Sequence, residues 1–439
     1  MPAVDGKVGA RVLCGTEVGR GMGTVQLGLK TLLRDTSDVP GGDLPETVRR
    51  AALRVLSKTT PGWSDGDDGR LSTSSFTIKQ LSGGMTNAVF KCAKPDGQNR
   101  TVLLRSYGEG TELFFSREME LAALGELAER GLVPALLATF HDGRVEEFLH
   151  ARTFCASDMR DPALSQLVAR RLAQLHTVDL GGGPQAAASK TPSSSSPGAA
   201  GEEPSFAAQS LEAYHRHALA RCGQERGGLR LAELGRLVAE EKRRLLDGPA
   251  CARPPVFCHN DLQYGNLMAA ERAQAGRAGG GPGGRGGTPA GSSPELFLID
   301  YEYAGYNPRG YDLANHFNEW MADYAGPAPH ESRLDRFPTA EERRVFYHAY
   351  LEEGARRRNG GGSAGAGGGG GVAVAAGAVP QEEVEALEEE VMACLPVCNL
   401  LWALWGLVLS EESSCVDFDY LGFAQQRMRA FWHFRELRG

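Results

Sequence analysis

The chain has 439 residues and a formal net charge of −8. This length suits about two or three domain-sized units, and the acidic balance argues against nucleic acid as the main partner, because counterion release needs clustered Lys and Arg. The nine cysteines lack paired metal-type spacing, which indicates a reduced intracellular chain without zinc. We expect a cytoplasmic protein, since no continuous apolar segment near the N-terminus predicts a secretory signal; an organelle transit peptide is the weaker alternative.

Low-complexity segments interrupt the chain near residues 181–203, 273–293 and 359–377. They have too few apolar residues to offset the entropy of ordering, so we predict flexible insertions there. The first 43 residues are Gly-rich and show no amphipathic pattern, and we predict a disordered extension. Ordered structure is expected between these segments.

Strand patterns concentrate before residue 150. After a helical period that starts at residue 44, FTIKQLSGGMTNAVFKCA predicts two strands joined by a glycine turn, and TVLLRSYG predicts a third. REMELAALGELAERG has helical spacing, and Asp142-Gly143 marks a hairpin between two further strands. We therefore predict an N-terminal nucleotide-binding lobe, built on an antiparallel sheet, over residues 44–150.

Helical patterns dominate residues 151–439. Asp161-Pro162 begins a helix with one apolar stripe, and long helical segments cover 381–410 and 420–437. We expect a larger helical C-terminal lobe that carries catalytic and substrate residues. The fold class is thus α+β, with the order of lobes found in two-lobed phosphotransferases whose active site lies in the cleft.

One helical segment is apolar enough to be mistaken for a membrane span. Residues 391–409 read VMACLPVCNLLWALWGLVL, about long enough to cross a bilayer. The segment contains Pro396 and Asn399, and acidic residues flank it on both sides, which fits membrane orientation poorly. We interpret it as a buried helix and predict no transmembrane segment.

The segment CHNDLQYGNLM contains the spacing H-x-D-x-x-x-x-N. In this spacing Asp261 can accept the proton of an attacking hydroxyl, and Asn266 can hold a divalent metal on a nucleotide. Downstream, the apolar run LFLI leads into Asp300, a second oxygen ligand suited to Mg²⁺. We expect a hairpin with Asn266 on one strand and Asp300 on the other. A lone D-x-x-x-x-N is more often a solvated turn, so the strand ending in Asp300 is what favours the catalytic interpretation.

Nucleotide contacts are predicted in the N-terminal lobe. The turn SGGMTN offers paired glycines that let a backbone approach phosphate; it comprises Ser82, Gly83, Gly84, Met85, Thr86 and Asn87. Arg105 ends TVLLR, where kinases place a lysine, and Glu120 on the next helix can pair with it. Glu147 and Phe148 fall where the lobes join, so their backbone can bind adenine. Each feature alone is as readily a turn, a surface charge or an edge strand.

Together these segments resemble the choline/ethanolamine kinase family, in particular plant-type choline kinases. CHNDLQYGN, LIDYEYAGYNPRGYDLANHF, VEEFLHARTFCASDMRD and SGGMTN are similar to blocks of that family, in its order. The resemblance runs from about residue 44 to residue 438. It implies a protein-kinase-like two-lobed fold and phosphorylation of an amino alcohol with ATP and Mg²⁺.

The resemblance also implies residue roles. Asp261 would be the catalytic base, Asn266 and Asp300 the magnesium ligands, and Gln263 would lie near the phosphates. SGGMTN would be the ATP loop, with the arginine and glutamate named above as its anchor pair. The product would be phosphocholine, which feeds phospholipid and phosphatidylcholine synthesis.

A quaternary ammonium donates no hydrogen bond, so its site needs aromatic faces and a carboxylate, each ring contributing about 0.5–2 kcal/mol. The resemblance places six residues around the ammonium: Tyr303, Glu319, Tyr324, Trp402, Trp405 and Tyr420. Without that context, an aromatic stripe on an apolar helix is more often core. HFNEWMADY mixes features, since Asn318 resembles ethanolamine kinases, whereas Trp320 and the Asp323-Tyr324 pair resemble choline kinases. Substrate choice leans to choline, with ethanolamine as the alternative.

Other functions fit the sequence less well. Aminoglycoside- and methylthioribose-type phosphotransferases share the H-x-D-x-x-x-x-N and I-D motifs, but a polyhydroxylated substrate would replace the C-terminal aromatics with acids. In a protein kinase Phe-Gly, not Tyr-Glu, would follow Asp300. A pseudokinase scaffold is disfavoured because the base and metal positions are all filled. The sequence does not set the oligomeric state, and a homodimer is compatible with it.

Overall fold

The computed structural model describes residues 44, 46–60, 62–63, 76–81, 87–94, 100–107, 117–180, 205–270, 294–360, 379–411 and 418–438. One compact unit, the N-terminal unit, ends at His150, and a second, the C-terminal unit, starts at Ala151. The predicted N-terminal extension, residues 82–86 of the predicted ATP loop and most of the three predicted insertions lie outside the described residues.

The N-terminal unit contains a five-stranded antiparallel sheet in the order β1-β2-β3-β5-β4. Its strands are β1 Thr77–Leu81, β2 Asn87–Lys94, β3 Arg100–Tyr107, β4 Leu136–Phe140 and β5 Gly143–Glu147. The predicted hairpin between β4 and β5 is confirmed, with Phe140 paired to Gly143. Glycine is needed at position 143, because a Cβ there would lie 2.2 Å from the main-chain oxygen of Arg105.

Helices α1 (Glu46–Thr59) and α2 (Arg117–Glu129) complete this unit. The apolar residues of α1 recur at helical spacing and form one buried face, which includes Val48, Val55 and Leu56. That face belongs to the same core as Phe90 and Leu104 of the sheet. Burial of this face explains why the predicted helix forms ahead of the sheet.

The C-terminal unit is mainly helical. Its helices are α3 Pro162–Leu175, α4 Phe206–Cys222, α5 Leu231–Asp247, α6 Arg309–Glu319, α7 Ala340–Gly360, α8 Gln381–Leu409 and α9 Tyr420–Leu437. The predicted start of α3 is confirmed: the Asp161 side chain accepts hydrogen bonds from the backbone N–H groups of Ala163 and Leu164. An α+β fold with a sheet-containing unit followed by a helical unit is therefore what the chain forms.

Helix α8 forms the apolar centre of the C-terminal unit. It packs against α4, α6 and α9, and every side chain from Ala393 to Val408 is buried. By length and composition α8 is the one helix in the described part of the chain that could cross a membrane, but 94% of its most apolar window is buried inside the protein. This burial supports its interpretation as a core helix.

Short strands of the C-terminal unit carry the loops that matter for function. Strand β10 (Leu267–Ala270) lies between β11 (Glu295–Leu298) and β6 (Arg152–Thr153), and β9 (Val256–Cys258) pairs with β12 (Gly305–Asn307). A small hairpin joins β7 Glu225–Arg226 and β8 Leu229–Arg230. The predicted hairpin around the second insertion is confirmed as β10–β11, in which Leu267 pairs with Leu298. Asn266 and Asp300, which were expected on these strands, lie just outside them.

Candidate active site

Asp261 and Asn266 lie in the loop between β9 and β10, which ends in a 3₁₀ turn over Tyr264–Asn266. The Asn266 Nδ2 group donates to the Asp261 main-chain oxygen at 2.8 Å and to its Oδ2 at 3.2 Å. Because the amide nitrogen is used in this way, the Asn266 side-chain oxygen is left as a ligand atom. The loop therefore presents one carboxylate and one amide oxygen together.

Asp312 on α6 binds the backbone of this loop. Its Oδ2 accepts the backbone N–H of His259 at 2.8 Å, its Oδ1 accepts the backbone N–H of Asn260 at 2.8 Å, and the His176 ring lies 3.0 Å away. Burial raises the pKa of Asp312, but the hydrogen bond with His176 and the interactions with His259 together outweigh burial, and the net direction is downward. An ionised, fully buried carboxylate thus fixes the loop, a role that the sequence did not predict.

Two residues of the site have left-handed backbone. Asn260 has φ of 64° and Asp300 has φ of 67°, and no other described non-glycine residue has a positive φ. Such conformations cost about 1–3 kcal/mol each and persist only when their surroundings enforce them. For Asn260 the surroundings are hydrogen bonds, since its Nδ2 donates to the Tyr303 main-chain oxygen at 2.9 Å and its Oδ1 accepts from Asn307 at 2.7 Å.

The histidine of the H-x-D-x-x-x-x-N motif joins the loop to the segment that carries Asp300. The His259 Nε2 atom lies 2.9 Å from the main-chain oxygen of Ile299, and burial lowers the pKa of His259. The backbone N–H of Ile299 in turn donates to the Asn266 main-chain oxygen at 3.0 Å. A neutral, buried histidine therefore sets the position of Asp300 and has no need to react itself.

Asp261 has strong electrostatic neighbours. Burial raises its pKa well above the ordinary value, and the negative charges of Glu319, Asp300 and Glu302 raise it further. Glu302 is itself buried. The sequence analysis did not select it, although it lies between Asp300 and Tyr303, which were both selected. This concentration of carboxylates suits a site that receives positive charge.

Four of the predicted substrate residues form one cluster of rings, called the ring cluster below: Tyr303, Trp402, Trp405 and Tyr420. Ring centroids are 5.2 Å apart for Tyr303 and Trp402, 5.4 Å for Trp402 and Trp405, and 5.6 Å for Trp405 and Tyr420. Phe423, which the sequence analysis did not select, joins the cluster 5.8 Å from Trp405. The expected aromatic grouping on α8 and its neighbours is present.

Hydrogen bonds fix both indoles of the ring cluster. The Trp405 Nε1 group donates to the Tyr303 hydroxyl at 2.9 Å, and the Trp402 Nε1 group donates to the Asn315 side-chain oxygen at 2.7 Å. Asn315 lies on α6, one turn after Asp312. Helix α6 therefore binds both the ring cluster, through Asn315, and the loop between β9 and β10, through Asp312.

The remaining predicted substrate residues, Glu319 and Tyr324, form a second group, which Arg427 links to Phe423 of the ring cluster. Glu319 ends α6 and is 2% exposed. Its Oε2 accepts from the Tyr324 hydroxyl at 2.7 Å, and its Oε1 accepts from the Arg427 guanidinium at 2.6 Å. The resemblance implied a carboxylate for the ammonium group, and the structure gives this carboxylate a buried arginine partner that the sequence analysis did not predict.

Asn318 and Trp320, used above to weigh choline against ethanolamine, have packing contacts in the structure. Asn318 is fully buried, and its side-chain oxygen accepts from Asn399 at 3.0 Å. The Trp320 Nε1 group donates to His316 at 3.3 Å, and the Arg160 guanidinium lies 5.4 Å from its ring centre. Both side chains therefore have packing roles near the end of α6, and what their identities imply about the substrate stays a prediction.

The predicted anchor pair of the N-terminal unit is arranged differently from expectation. Glu120 on α2 is bound by Arg144, whose Nη1 lies 2.7 Å from its Oε1, whereas Arg105 lies 3.8 Å from Glu146. The physical reason is strand register: Arg105 of β3 is directly opposite Arg144 of β5, so both guanidinium groups share one face. Sequence spacing gave no sign of this second arginine.

Arg144 remains charged in its buried setting. Burial lowers its pKa, but the neighbouring carboxylates of Glu146 and Glu120 outweigh this effect and hold the pKa well above the ordinary value. The cluster of two arginines and two glutamates is thus a buried ion network.

The other residues predicted to bind ATP have local contacts. Glu147 Oε2 accepts the backbone N–H of Ala135 at 3.3 Å, and the Lys91 ammonium lies 4.3 Å from the centre of the Phe148 ring. Gln263 caps the 3₁₀ turn in the loop between β9 and β10. The side chain of Asn87 lies outside the described residues, and the ATP-binding roles of this group stay predictions.

Comparison with known proteins decides the family. A family model described as choline/ethanolamine kinase matches residues 78–432. The chain belongs to the choline/ethanolamine kinase family. A curated relative, probable choline kinase 2 of Arabidopsis thaliana, is 31% identical over 398 residues, which cover 89% of this kinase and 92% of the relative.

Solved structures show the same fold. An ethanolamine kinase of Plasmodium vivax superposes with a TM-score of 0.65 at 21% identity, covering 93% of this kinase and 94% of the relative. A choline kinase of Cryptosporidium parvum gives a TM-score of 0.62 at 20% identity, covering 88% and 95%. The predicted fold class and family are therefore confirmed, and the fold alone fits relatives named for either amino alcohol.

Proposed function

We propose that this kinase transfers the γ-phosphoryl group of ATP to the hydroxyl of choline and, less efficiently, of ethanolamine, forming phosphocholine or phosphoethanolamine for phospholipid head-group synthesis. One observation carries the proposal. The Asn260 side chain, one residue before Asp261, donates to the main-chain oxygen of Tyr303, which brings the ring cluster to the carboxylate. A cation held by the rings would then have its hydroxyl close to a base.

The donor set of the site fits Mg²⁺. The Asn266 side-chain oxygen and the Asp300 carboxylate are hard oxygen ligands of the kind this ion prefers, and the hydrogen bonds of Asn266 to Asp261 turn its nitrogen away from such a role. These two residues would hold the ion, which when bound to ATP neutralises the charge that develops on the phosphates.

In the reaction, the hydroxyl oxygen of the alcohol attacks the γ-phosphorus, the bond from phosphorus to the bridging oxygen of ADP breaks, and the hydroxyl proton passes to Asp261. Most of the barrier reduction in phosphoryl transfer comes from positioning and charge stabilisation. The hydrogen bonds from Asn266 orient Asp261 for this step. Asp312 in turn holds the loop at two backbone N–H groups.

For ATP, we assign Ser82–Asn87 and Arg105 to the phosphates, Glu147 and Phe148 to the adenine, and Gln263 to the neighbourhood of the phosphates. Support comes from the family match, which spans these positions from residue 78 onward. In this assignment the ion pair of Arg144 and Glu120 stabilises the face of the sheet that carries Arg105.

The test is an ADP-release assay with ATP and Mg²⁺, run with choline, with ethanolamine, with an aminoglycoside and without any acceptor. We expect rapid ADP release with choline, slower release with ethanolamine, and background release otherwise. Release with the aminoglycoside alone would assign the enzyme to a different branch of this fold. Background release with every acceptor would support the pseudokinase alternative and overturn the proposal.

A further inference from the structure

Arg427 lies in an unusual position for a charged residue. It is 1% exposed and occupies the apolar stripe of α9, four residues after Phe423 and four before Phe431. Its guanidinium carbon lies 4.8 Å from the centre of the Phe423 ring. Its Nη2 group donates to Glu319 Oε1 at 2.6 Å, and the same group lies 3.3 Å from the Tyr324 hydroxyl.

Nothing else competes strongly for this guanidinium. The Nε and Nη1 groups of Arg427 are buried and have no hydrogen-bond partner among the residues that the structure describes. A buried charge of this kind costs several kcal/mol unless it is paired, so Glu319 and the Phe423 ring face are what keep Arg427 in place. The pairing is reciprocal, because Glu319 is also buried.

The pair also matters for the charges around the base. After burial, Glu319 is the acidic group with the largest effect on the pKa of Asp261, which it raises. The guanidinium of Arg427 lies directly against this carboxylate.

The hydrogen bonds leave Glu319 with limited capacity for a new partner. A carboxylate has about four acceptor positions, and one on each oxygen is used, by Arg427 on Oε1 and by the Tyr324 hydroxyl on Oε2. These two hydrogen bonds fix the orientation of Glu319, so an incoming donor meets only the positions that remain.

We propose that Arg427 is a positioning residue that fixes Glu319 and makes the site favour a quaternary over a primary ammonium. A trimethylammonium group needs negative potential and aromatic faces but no hydrogen bonds. A primary ammonium brings three N–H donors that lose water on binding and need acceptors. A carboxylate whose two oxygens are already hydrogen-bonded supplies the negative potential that the trimethylammonium group needs. It offers few free acceptors to a primary ammonium. The inference rests on the proposed function.

The experiment compares kcat/KM for choline and for ethanolamine in four variants: Arg427→Lys, Arg427→Met, Glu319→Gln and the double variant Arg427→Met/Glu319→Gln. A lysine offers a single point charge in place of a planar fork, so Glu319 can rotate. We expect the choline to ethanolamine ratio of kcat/KM to fall by about tenfold in Arg427→Lys, mainly through a lower KM for ethanolamine.

The other variants separate positioning from stability. Arg427→Met leaves Glu319 unpaired and is expected to lower the melting temperature, whereas the double variant removes both charges and should recover stability. Because Arg427 acts through Glu319, the double variant should show the same substrate ratio as Glu319→Gln alone, a non-additive result. Arg429→Met is the matched control, since Arg429 is exposed on the same helix, and should leave the ratio unchanged.

The outcomes are distinct. An unchanged ratio in Arg427→Lys, with both substrates slowed equally, would assign Arg427 a purely structural role and overturn the inference. Additive effects in the double variant would do the same. Inactivity of the wild-type enzyme towards both alcohols would instead overturn the proposed function.

Discussion

Replacing Asp261 by Asn tests the assignment of the base without removing the local hydrogen bonds. The new side chain keeps an oxygen that can accept from Asn266, as Oδ2 of Asp261 does at 3.2 Å. General-base catalysis contributes roughly 10²–10⁴ in rate, or about 3–5 kcal/mol of the barrier. We expect kcat to fall by that factor while the KM for ATP changes by less than about threefold, since Asp261 acts on the acceptor alone.

The same substitution should stabilise the fold. Burial and the charges of Glu319, Asp300 and Glu302 raise the pKa of Asp261, so removing its charge relieves repulsion among neighbouring carboxylates. A gain of about 1 kcal/mol corresponds to about 2–4 °C in melting temperature. The assays are steady-state kinetics and thermal denaturation of the same preparation. Near-normal kcat would refute the assignment, and a lower melting temperature would refute the electrostatic reasoning.

The raised pKa of Asp261 also predicts a pH dependence. Only the ionised carboxylate can accept a proton, so kcat/KM should fall as pH falls through the raised pKa of the free enzyme. Bound positive charge favours ionisation and lowers this pKa, so the acid limb of kcat should lie at lower pH than the acid limb of kcat/KM. Coincident limbs, measured at saturating and at low choline, would contradict this account.

Three further predictions concern the ring cluster, the loop anchor and the ion network. Trp402→Ala should raise the KM for choline by about 2–30-fold, the equivalent of one ring, and an unchanged KM would remove this residue from the pocket. Asp312→Ala should lower kcat by at least about tenfold, because two backbone N–H groups of the loop lose their acceptor; unchanged kcat would show that the loop keeps its shape alone. Arg144→Met should cost about 3–5 kcal/mol of unfolding free energy by removing the guanidinium that contacts buried Glu120 and Glu146, as measured by denaturant unfolding, and a loss below about 1 kcal/mol would count against the network.

Features that depend on local pattern could be read from the sequence. The apolar run ending in Asp300 predicted a strand, and that strand pairs with the one after Asn266. The three-residue spacing of Trp402 and Trp405 predicted rings on one helix face, and their centroids are 5.4 Å apart. Period and spacing carry this information because they follow from the geometry of a single strand or helix.

Features that depend on long-range pairing could not be read in the same way. Arg427 and Glu319 are 108 positions apart, and Arg144 meets Glu120 only through the register of β3 with β5. One signal was nevertheless present: an arginine on the apolar stripe of α9 must be buried, and a buried arginine needs a carboxylate.

The central claim is that this kinase transfers a phosphoryl group from ATP to the hydroxyl of a cationic alcohol bound at the ring cluster beside Asp261. The most direct measurement is phosphorus NMR of the products formed from ATP, Mg²⁺ and choline by the wild-type enzyme and by Asp261→Asn. We predict that the wild-type enzyme yields ADP and phosphocholine in equal amounts and that the variant forms both more slowly, by the factor of roughly 10²–10⁴ given above. Formation of inorganic phosphate in place of phosphocholine, or equal yields from both proteins, would contradict the central claim.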